Sequence, residues 1–419
     1  MKNRFVWLII ICLSFSATTV LAQAVAPDPI RLAVGSRVLG MGKAFVGLAD
    51  DVNAMYLNPA GLANLEKWQF SSMSGSFMED YNYINLCGAY PLSWGVFGVG
   101  FTTASITGGY ATRVKAGSNP PVYEIDPTQP TISYYNNVGL LSFATKMDRL
   151  KLPFKLPWES MVGLNLKIFA SGLAGDGITQ GDAKGSELDA GLIIKPQQWL
   201  SFGSSVQNLL PATMGGKITY NSGHYESFPA LWKNGIAVKI LGPQNSLRTQ
   251  QDQELSFLLD FDYYPTRSNF PIIYHTGLEW QLIKTIKLRT GINQDAAGDG
   301  RGGKVSPLSN ITYGVGVNYG GWRFDYAYNQ FSEGGGMTDS FFSLSYQPET
   351  VVVKPQPAPA VQQITTITTT PEAKVITPII ITKPVSKPPV IIKSKQLPVV
   401  KKTGTIKGGT KNVKKKPIH

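Results

Sequence analysis

The chain has 419 residues, 43% of them hydrophobic, and a formal net charge of +12. That charge is not spread out: residues 351–419 hold thirteen lysines and one glutamate, and the preceding 350 residues hold 26 basic and 26 acidic residues. The body is therefore neutral, and its charge gives no reason to expect a nucleic-acid partner. The two cysteines are Cys12 and Cys87, and the three histidines are His224, His275 and His419. That supply excludes a disulfide framework and leaves little for metal, cofactor or acid–base chemistry.

Taken in chain order, residues 1–24 read as a secretory signal peptide. Lys2 and Arg4 form the basic end, Val6 to Phe15 the apolar stretch, and Val20-Leu21-Ala22 or Ala22-Gln23-Ala24 a small-residue cleavage site. The apolar stretch, about ten residues, is shorter than the ~20 a spanning helix needs. Residues 25–66 are rich in glycine and form a separate N-terminal segment. From 67 to 347 the chain alternates apolar and polar residues in about fourteen short segments, whose predicted bounds are 68–78, 82–90, 95–104, 132–146, 160–171, 186–195, 199–208, 230–240, 254–264, 273–282, 285–293, 310–319, 321–330 and 340–347. Their lengths suit the ~9–11 residues of a tilted membrane strand.

The pattern is fullest in 322–330. Trp322, Phe324, Tyr326 and Tyr328 share one face, and Arg323, Asp325, Ala327 and Asn329 share the other. The turns between segments alternate in length. Pro91-Leu92-Ser93, Pro196-Gln197-Gln198, Ile283-Lys284 and Gly320 are tight, whereas the connections around 105–131, 172–185, 209–229 and 294–309 are long. An outer-membrane β-barrel has short periplasmic turns and long external loops. The expected fold is all-β: a transmembrane antiparallel β-barrel of about 14 strands, with both termini periplasmic. Two connections, 147–159 and 241–253, fall on the short-turn side yet run long. They are either real elaborations or a sign of a miscounted strand.

The faces opposite the apolar stripes carry charge: Lys167 beside Asn165, then Glu187 and Asp189, Asp260 and Asp262, Glu279, Lys287 and Arg289, and Arg323 and Asp325. On neighbouring antiparallel strands these form a lumenal charge network, read either as structural packing of a polar interior or as a selectivity or ligand-contact ring. Gly298 to Lys304 has the spacing of a phosphate-binding loop but supplies Val305 where a hydroxyl is required and lies between strands. Gly35 to Gly42 lacks the βαβ context of a dinucleotide loop. No nucleophile-elbow pattern is present, so an enzyme is not expected.

The N-terminal segment carries the specific motif: IRLAVGSRVLGMGKAFVGLADD, with Gly40, Gly42, Asp50 and Asp51, followed by Asn58-Pro59-Ala60-Gly61. It resembles the opening of the PorV/PorQ family and, more distantly, that of FadL-type long-chain fatty acid transporters. The resemblance continues at Ser205 to Leu209, Leu288 to Gly291 and Asp325 to Tyr328. It implies a fourteen-stranded outer-membrane barrel in a Gram-negative-type bacterium, with the N-terminal segment folded inside as a plug, or hatch. In that setting Gly40 and Gly42 would make tight turns that need glycine's backbone freedom, and Asn58-Pro59 would start a turn. Asp50 and Asp51 would either cap a helix or pair with lumenal Lys and Arg.

Residues 348–419 depart from that family as a Pro- and Lys-rich tail, expected to be disordered and periplasmic. Its partners would be anionic lipid, cell-wall polymer or another protein, or it serves as a spacer. Three functions compete at this stage. The first is passage of apolar small molecules across the outer membrane. The second is an accessory role in a type IX-like secretion system, receiving exported proteins. The third is a structural barrel tethered by its basic tail.

Overall fold

The structure, a computed structural model, describes residues 28–349 apart from 32–33, 78–80, 111, 130, 152, 154–155, 176–180, 268–269, 299–304 and 331–337. The expected signal peptide, the tail from residue 350 and the glycine-rich 299–304 lie outside the described residues. Fourteen strands form the wall: β1 Gln69–Phe77, β2 Tyr81–Leu92, β3 Gly95–Gly109, β4 Ile132–Lys146, β5 Glu159–Ala174, β6 Ala183–Gln197, β7 Leu200–Gln207, β8 Leu231–Gly242, β9 Glu254–Tyr263, β10 Ile273–Ile283, β11 Ile286–Gly298, β12 Val305–Tyr319, β13 Trp322–Gln330 and β14 Thr338–Tyr346. Each pairs antiparallel with the next, and β14 returns to β1 with Phe70 opposite Tyr346. Closure pairs the backbone of every wall strand on both sides, which is what a strand in lipid requires.

Burial follows the alternation. On β13, Trp322 and Phe324 are exposed, while Asp325, Ala327 and Asn329 are buried. On β12, Ile311, Tyr313, Val315 and Val317 face out, and Asn310, Thr312, Gly314 and Gly316 face in. An apolar outer face and a small or polar inner one is the arrangement of a barrel in lipid. Trp68, Tyr90, Trp94, Trp158, Tyr319 and Trp322 are all exposed at the end where the short turns lie. They form an aromatic girdle of the kind that sits at headgroup level.

The short turns are two residues each: 93–94, 198–199, 284–285 and 320–321. In the last, Gly320 and Gly321 have φ of 58° and 81°, as a type I′ hairpin demands. The two long connections at the same end are elaborations, and the count of fourteen stands. Met147–Leu150 makes a 3-10 turn, and Arg248–Thr249 lies parallel to the end of β8. At the opposite end several strands run past their predicted bounds. β11 and β12 continue pairing to Gly298↔Val305, so the expected long connection at 294–309 shrinks to six residues. Gln294, Ser306 and Ser309 lack the apolar alternation that lipid imposes, so hydrophobic periodicity stops there although the hydrogen-bond ladder does not. Lys217–Tyr220 and Tyr225–Ser227 form a small hairpin that pairs with β6.

The core lies inside the barrel. Residues 34–65 fill the lumen as the expected plug, with only short helical pieces: α1 Ser36–Leu39, α2 Ala54–Leu57 and a 3-10 turn Pro59–Asn64. Val38, Met41, Phe45, Met55, Tyr56 and Leu62 pack against Val96, Val138, Leu140, Met161, Phe169 and Ile193 of the wall. Each large side chain buried in this way contributes about 1.5–3 kcal/mol.

Candidate functional site in the lumen

Arg37 on α1 organises the charged part of the lumen. Its Nε and Nη2 donate to the two oxygens of Glu279 at 2.8 and 2.7 Å. Its Nη1 donates to Asp50 Oδ1 at 2.6 Å and to Asp51 Oδ2 at 2.8 Å. The wall completes the cluster. Arg323 donates to Asp51 at 2.8 Å and to Asp325 at 2.9 Å, and Arg289 donates to Glu279 at 2.7 Å and to Asp325 at 2.8 Å. Lys287 Nζ lies 3.6 Å from Glu279. Four cations thus face four carboxylates, and the cluster is neutral as a whole, the condition under which buried charge is tolerated.

Burial by itself would push the Asp51 carboxyl up, but Arg323 and Arg37 outweigh it and hold the group well below the usual carboxylate range. Burial likewise disfavours the Arg37 cation, and Asp50, Glu279 and Asp51 more than offset it, so its pKa is raised. Of the two alternatives open for the aspartates, pairing is the one found: Asp50 pairs with Arg37, and neither α1 nor α2 carries a side-chain cap hydrogen bond. Asp51 pairs with Arg37 and Arg323 and also accepts the Asn53 amide at 2.9 Å.

The plug's backbone presses directly on the wall, and the wall makes room with glycine. Nine inward glycines on eight strands face it: Gly98 and Gly100 on β3, Gly163, Gly191, Gly203, Gly235, Gly277, Gly291 and Gly314. A Cβ on Gly277 would stand 2.5 Å from the Met41 carbonyl oxygen, and one on Gly291 would stand 2.5 Å from the Gly42 nitrogen. This corrects one expectation. Gly42 does have positive φ, 63°, but Gly40 is helical at φ −62°. Gly40 is needed for close approach: a Cβ there would lie 3.0 Å from Gly314 Cα.

Wall side chains satisfy the plug's free backbone groups, as burial requires. Asp260 accepts from the amides of Phe45 and Val46 at 2.5 and 2.7 Å. Asn165 donates to the Met55 carbonyl at 2.6 Å and Gln207 to that of Tyr56 at 2.8 Å. The Gly42 amide donates to Thr312 at 3.0 Å. Within the motif, Asn58 accepts from the Ala60 amide at 3.2 Å and donates to the carbonyls of Val46 and Leu192 at 3.0 and 3.1 Å. Pro59 occupies the first position of the following 3-10 turn, where its missing N–H costs nothing.

The ten charged wall residues picked out from the sequence all face inward, but they do not form a single ring. Glu279, Lys287, Arg289, Arg323 and Asp325 join the Arg37 cluster. Lys167 makes a second group with Asp189 at 2.9 Å, Asn208 at 2.6 Å and Asp28 at 3.5 Å. Asp262 makes a third with Lys233 at 2.5 Å. Glu187 and Asp260 depart from the expected ion pairing and bind backbone amides, Glu187 those of Leu210 and Leu188 at 3.1 and 3.3 Å. The residues missed are Arg37, Asp28, Asn208, Lys233, His275 and the wall glycines. Arg37 had a visible signal, as the only charge in GSRVLGMG. The glycines had one as well, since they fall on inward positions of successive strands.

No protein-family model matches the sequence, and no curated protein is similar to it at the sequence level. Solved structures are. The chain is similar to the TodX deltaS2S3 mutant monoaromatic hydrocarbon channel, with a TM-score of 0.51 at 12% identity over 75% of this chain and 99% of that one. It also matches the Pseudomonas putida toluene transporter TodX, with a TM-score of 0.48 and 11% identity over 78% of this chain and 100% of that one. The third is the Ralstonia pickettii toluene transporter TbuX, with a TM-score of 0.47 and 11% identity over 75% of this chain and 98% of that one. At such identities the first likeness speaks for architecture alone. The chain is thus an antiparallel transmembrane β-barrel of fourteen strands with an internal N-terminal plug, a fold it has in common with that hydrocarbon channel.

Proposed function

We propose that this protein sits in an outer membrane and admits apolar small molecules, with the two-residue turns and both termini on the periplasmic side. The observation that carries this reading is a group of apolar side chains on the inner face of β2–β5. Cys87, Ala89, Val96, Val138, Leu140, Met161 and Phe169 point into the lumen and meet apolar plug residues. A water-filled channel is lined by polar groups throughout, whereas a path opened along these side chains by movement of the plug would be mostly apolar, with Asn165, Lys167 and Asp189 beside it. The fold held in common with a hydrocarbon channel supports the same reading, and the opening motif supports a PorV/PorQ-type member of the FadL-like class.

The test locks the plug to the wall. Ser36 and Ser343 bring their hydroxyl oxygens to 2.8 Å, so the pair Ser36→Cys and Ser343→Cys should cross-link on oxidation. Toluene uptake by cells carrying the oxidised variant should fall to that of cells without the protein and return on reduction. Unchanged uptake with the lock closed would remove plug movement from the mechanism. Wild-type uptake no higher than background would overturn the transport reading itself.

A further inference from the structure

Above the plug, at the end away from the short turns, the lumen holds a small cavity of about 50 Å³ that the Arg37 cluster does not touch. Its polar lining comes from strand ends. Lys233 is the third residue of β8, Asp262 the penultimate residue of β9 and His275 the third of β10; Lys43 from the plug and Asp295 from β11 add charge, and Gln207, Gln294, Tyr56 and Tyr264 add uncharged polar groups. Ile30, Leu57 and Ile273 supply apolar lining.

The four charges on this lining cancel and are already matched. Lys233 pairs with Asp262 at 2.5 Å, and Lys43 lies 3.6 Å from Asp295. What is left over is hydrogen-bonding capacity. His275 is 4% exposed, and neither of its ring nitrogens has a hydrogen-bond partner among the described residues. Nε2 comes only to 3.5 Å from Asp262 Oδ2, too far for a good hydrogen bond. Asp262 Oδ1 is likewise buried and without a partner. An imidazole nitrogen that carries a proton donates and one that does not accepts, and the carboxylate oxygen offers a further acceptor.

We propose that this cavity binds the hydroxyl end of a small, otherwise apolar molecule, an alcohol or a phenol. A hydroxyl both donates and accepts, so it matches His275 and Asp262 together. A carboxylate end would bring a charge that the balanced lining cannot pair, and a pure hydrocarbon would leave the buried imidazole without a partner. The volume admits a polar end group, with the apolar body lying against the plug and the mouth of the cavity. This assignment rests on the proposed function only for the source of the ligand, since the binding itself is measured without transport.

The experiment titrates the purified full-length wild type, in detergent, with 4-butylphenol, butylbenzene and 4-butylbenzoate, following the imidazole ¹⁵N resonances of His275 and, as an internal control, His224. The expected result is a saturable shift at His275 with the phenol and none at His224. Butylbenzene and butylbenzoate should bind about tenfold more weakly or not at all, the discrimination a buried hydrogen-bonding site gives. His275→Gln, which keeps a donor and an acceptor, should retain phenol binding that His275→Phe loses. Three results would overturn the proposal: no shift with any compound (a water-filled pocket only), equal binding of butylbenzene (an apolar groove only), or tighter binding of the benzoate. If toluene uptake fails but the phenol binds, the transport reading falls and this site stands.

Discussion

Replacing Arg37 with methionine should loosen the plug without opening the barrel. The guanidinium makes two hydrogen bonds to Glu279, two to Asp50 and one to Asp51. Removing one partner of a buried ion pair costs about 3–5 kcal/mol. Here the lower end applies, because Asp51 keeps Arg323 and Glu279 keeps Arg289 and Lys287. Asp50, 42% exposed at its side chain, adds little. A loss of about 3 kcal/mol raises the opening equilibrium of the plug by about a hundredfold. The assay is amide hydrogen exchange in phospholipid vesicles, read at Leu39, Gly40 and Asn58, whose N–H groups bond within the plug. Arg37→Met combined with Glu279→Gln leaves three cations and three carboxylates. It should cost less than the sum of the single changes, by about 1–3 kcal/mol. Exchange within about threefold of wild type in Arg37→Met, against the hundredfold expected from the buried pair, would refute the view that this cluster holds the plug.

The same tether should be acid-sensitive only at low pH. The folded-state pKa of Asp51 is depressed, so its stabilising contribution is complete above the ordinary aspartate value of about 3.9 and is lost as pH falls below it. Exchange at Leu39, normalised to the intrinsic rate, should therefore be flat from pH 7 to 5, and a rise within that window would contradict the assignment. Gly314→Val should displace α1 at Gly40 and cost about 1–3 kcal/mol through overpacking. Gly139→Ala, at an outward position with nothing within 4 Å, should leave the urea midpoint unchanged and serves as the control. Asn58→Ala removes the side-chain bonds to Val46, Leu192 and Ala60. It should cost about 1–3 kcal/mol, seen as faster exchange at Gly61, whose amide donates to the Asn58 carbonyl.

The wall was legible because lipid and lumen impose opposite chemistry on adjacent residues. Trp322 to Asn329 carries that contrast at every step but Ala327, and all fourteen strands were found by it. Where the contrast fades, as at Gln294 to Ser309, the strands continue unseen. Register-neighbour pairs were legible too: Lys167 and Asp189 lie on adjacent strands, two residues out of register. The pairing of Arg37 with Glu279, 242 residues apart, has no counterpart in local pattern. Gly40 illustrates the gap most plainly. Its glycine character was visible, and the obvious local reason was a turn, but the actual reason is the backbone of Gly314 on the far side of the sequence.

The plug itself owes little of its order to its own sequence. Its two α-helices have four residues each, far below the ~12–15 at which an isolated helix is even marginal in water. Most of its backbone forms no regular structure, so its N–H and C=O groups need partners from elsewhere. Those partners are Asp260, Thr312, Asn165, Gln207 and Asn58, and four of the five belong to the wall. Such short side chains reach a backbone only if it lies against the strands, and that approach is what the inward glycines permit. Seat and hydrogen bond therefore depend on each other, and both exist only once β3 and β5–β12 are paired. The plug's conformation is thus a property of the closed barrel. A peptide of residues 28–66 should show no stable structure in isolation, while the same residues within the barrel are held by charge, glycine contact and wall side chains together.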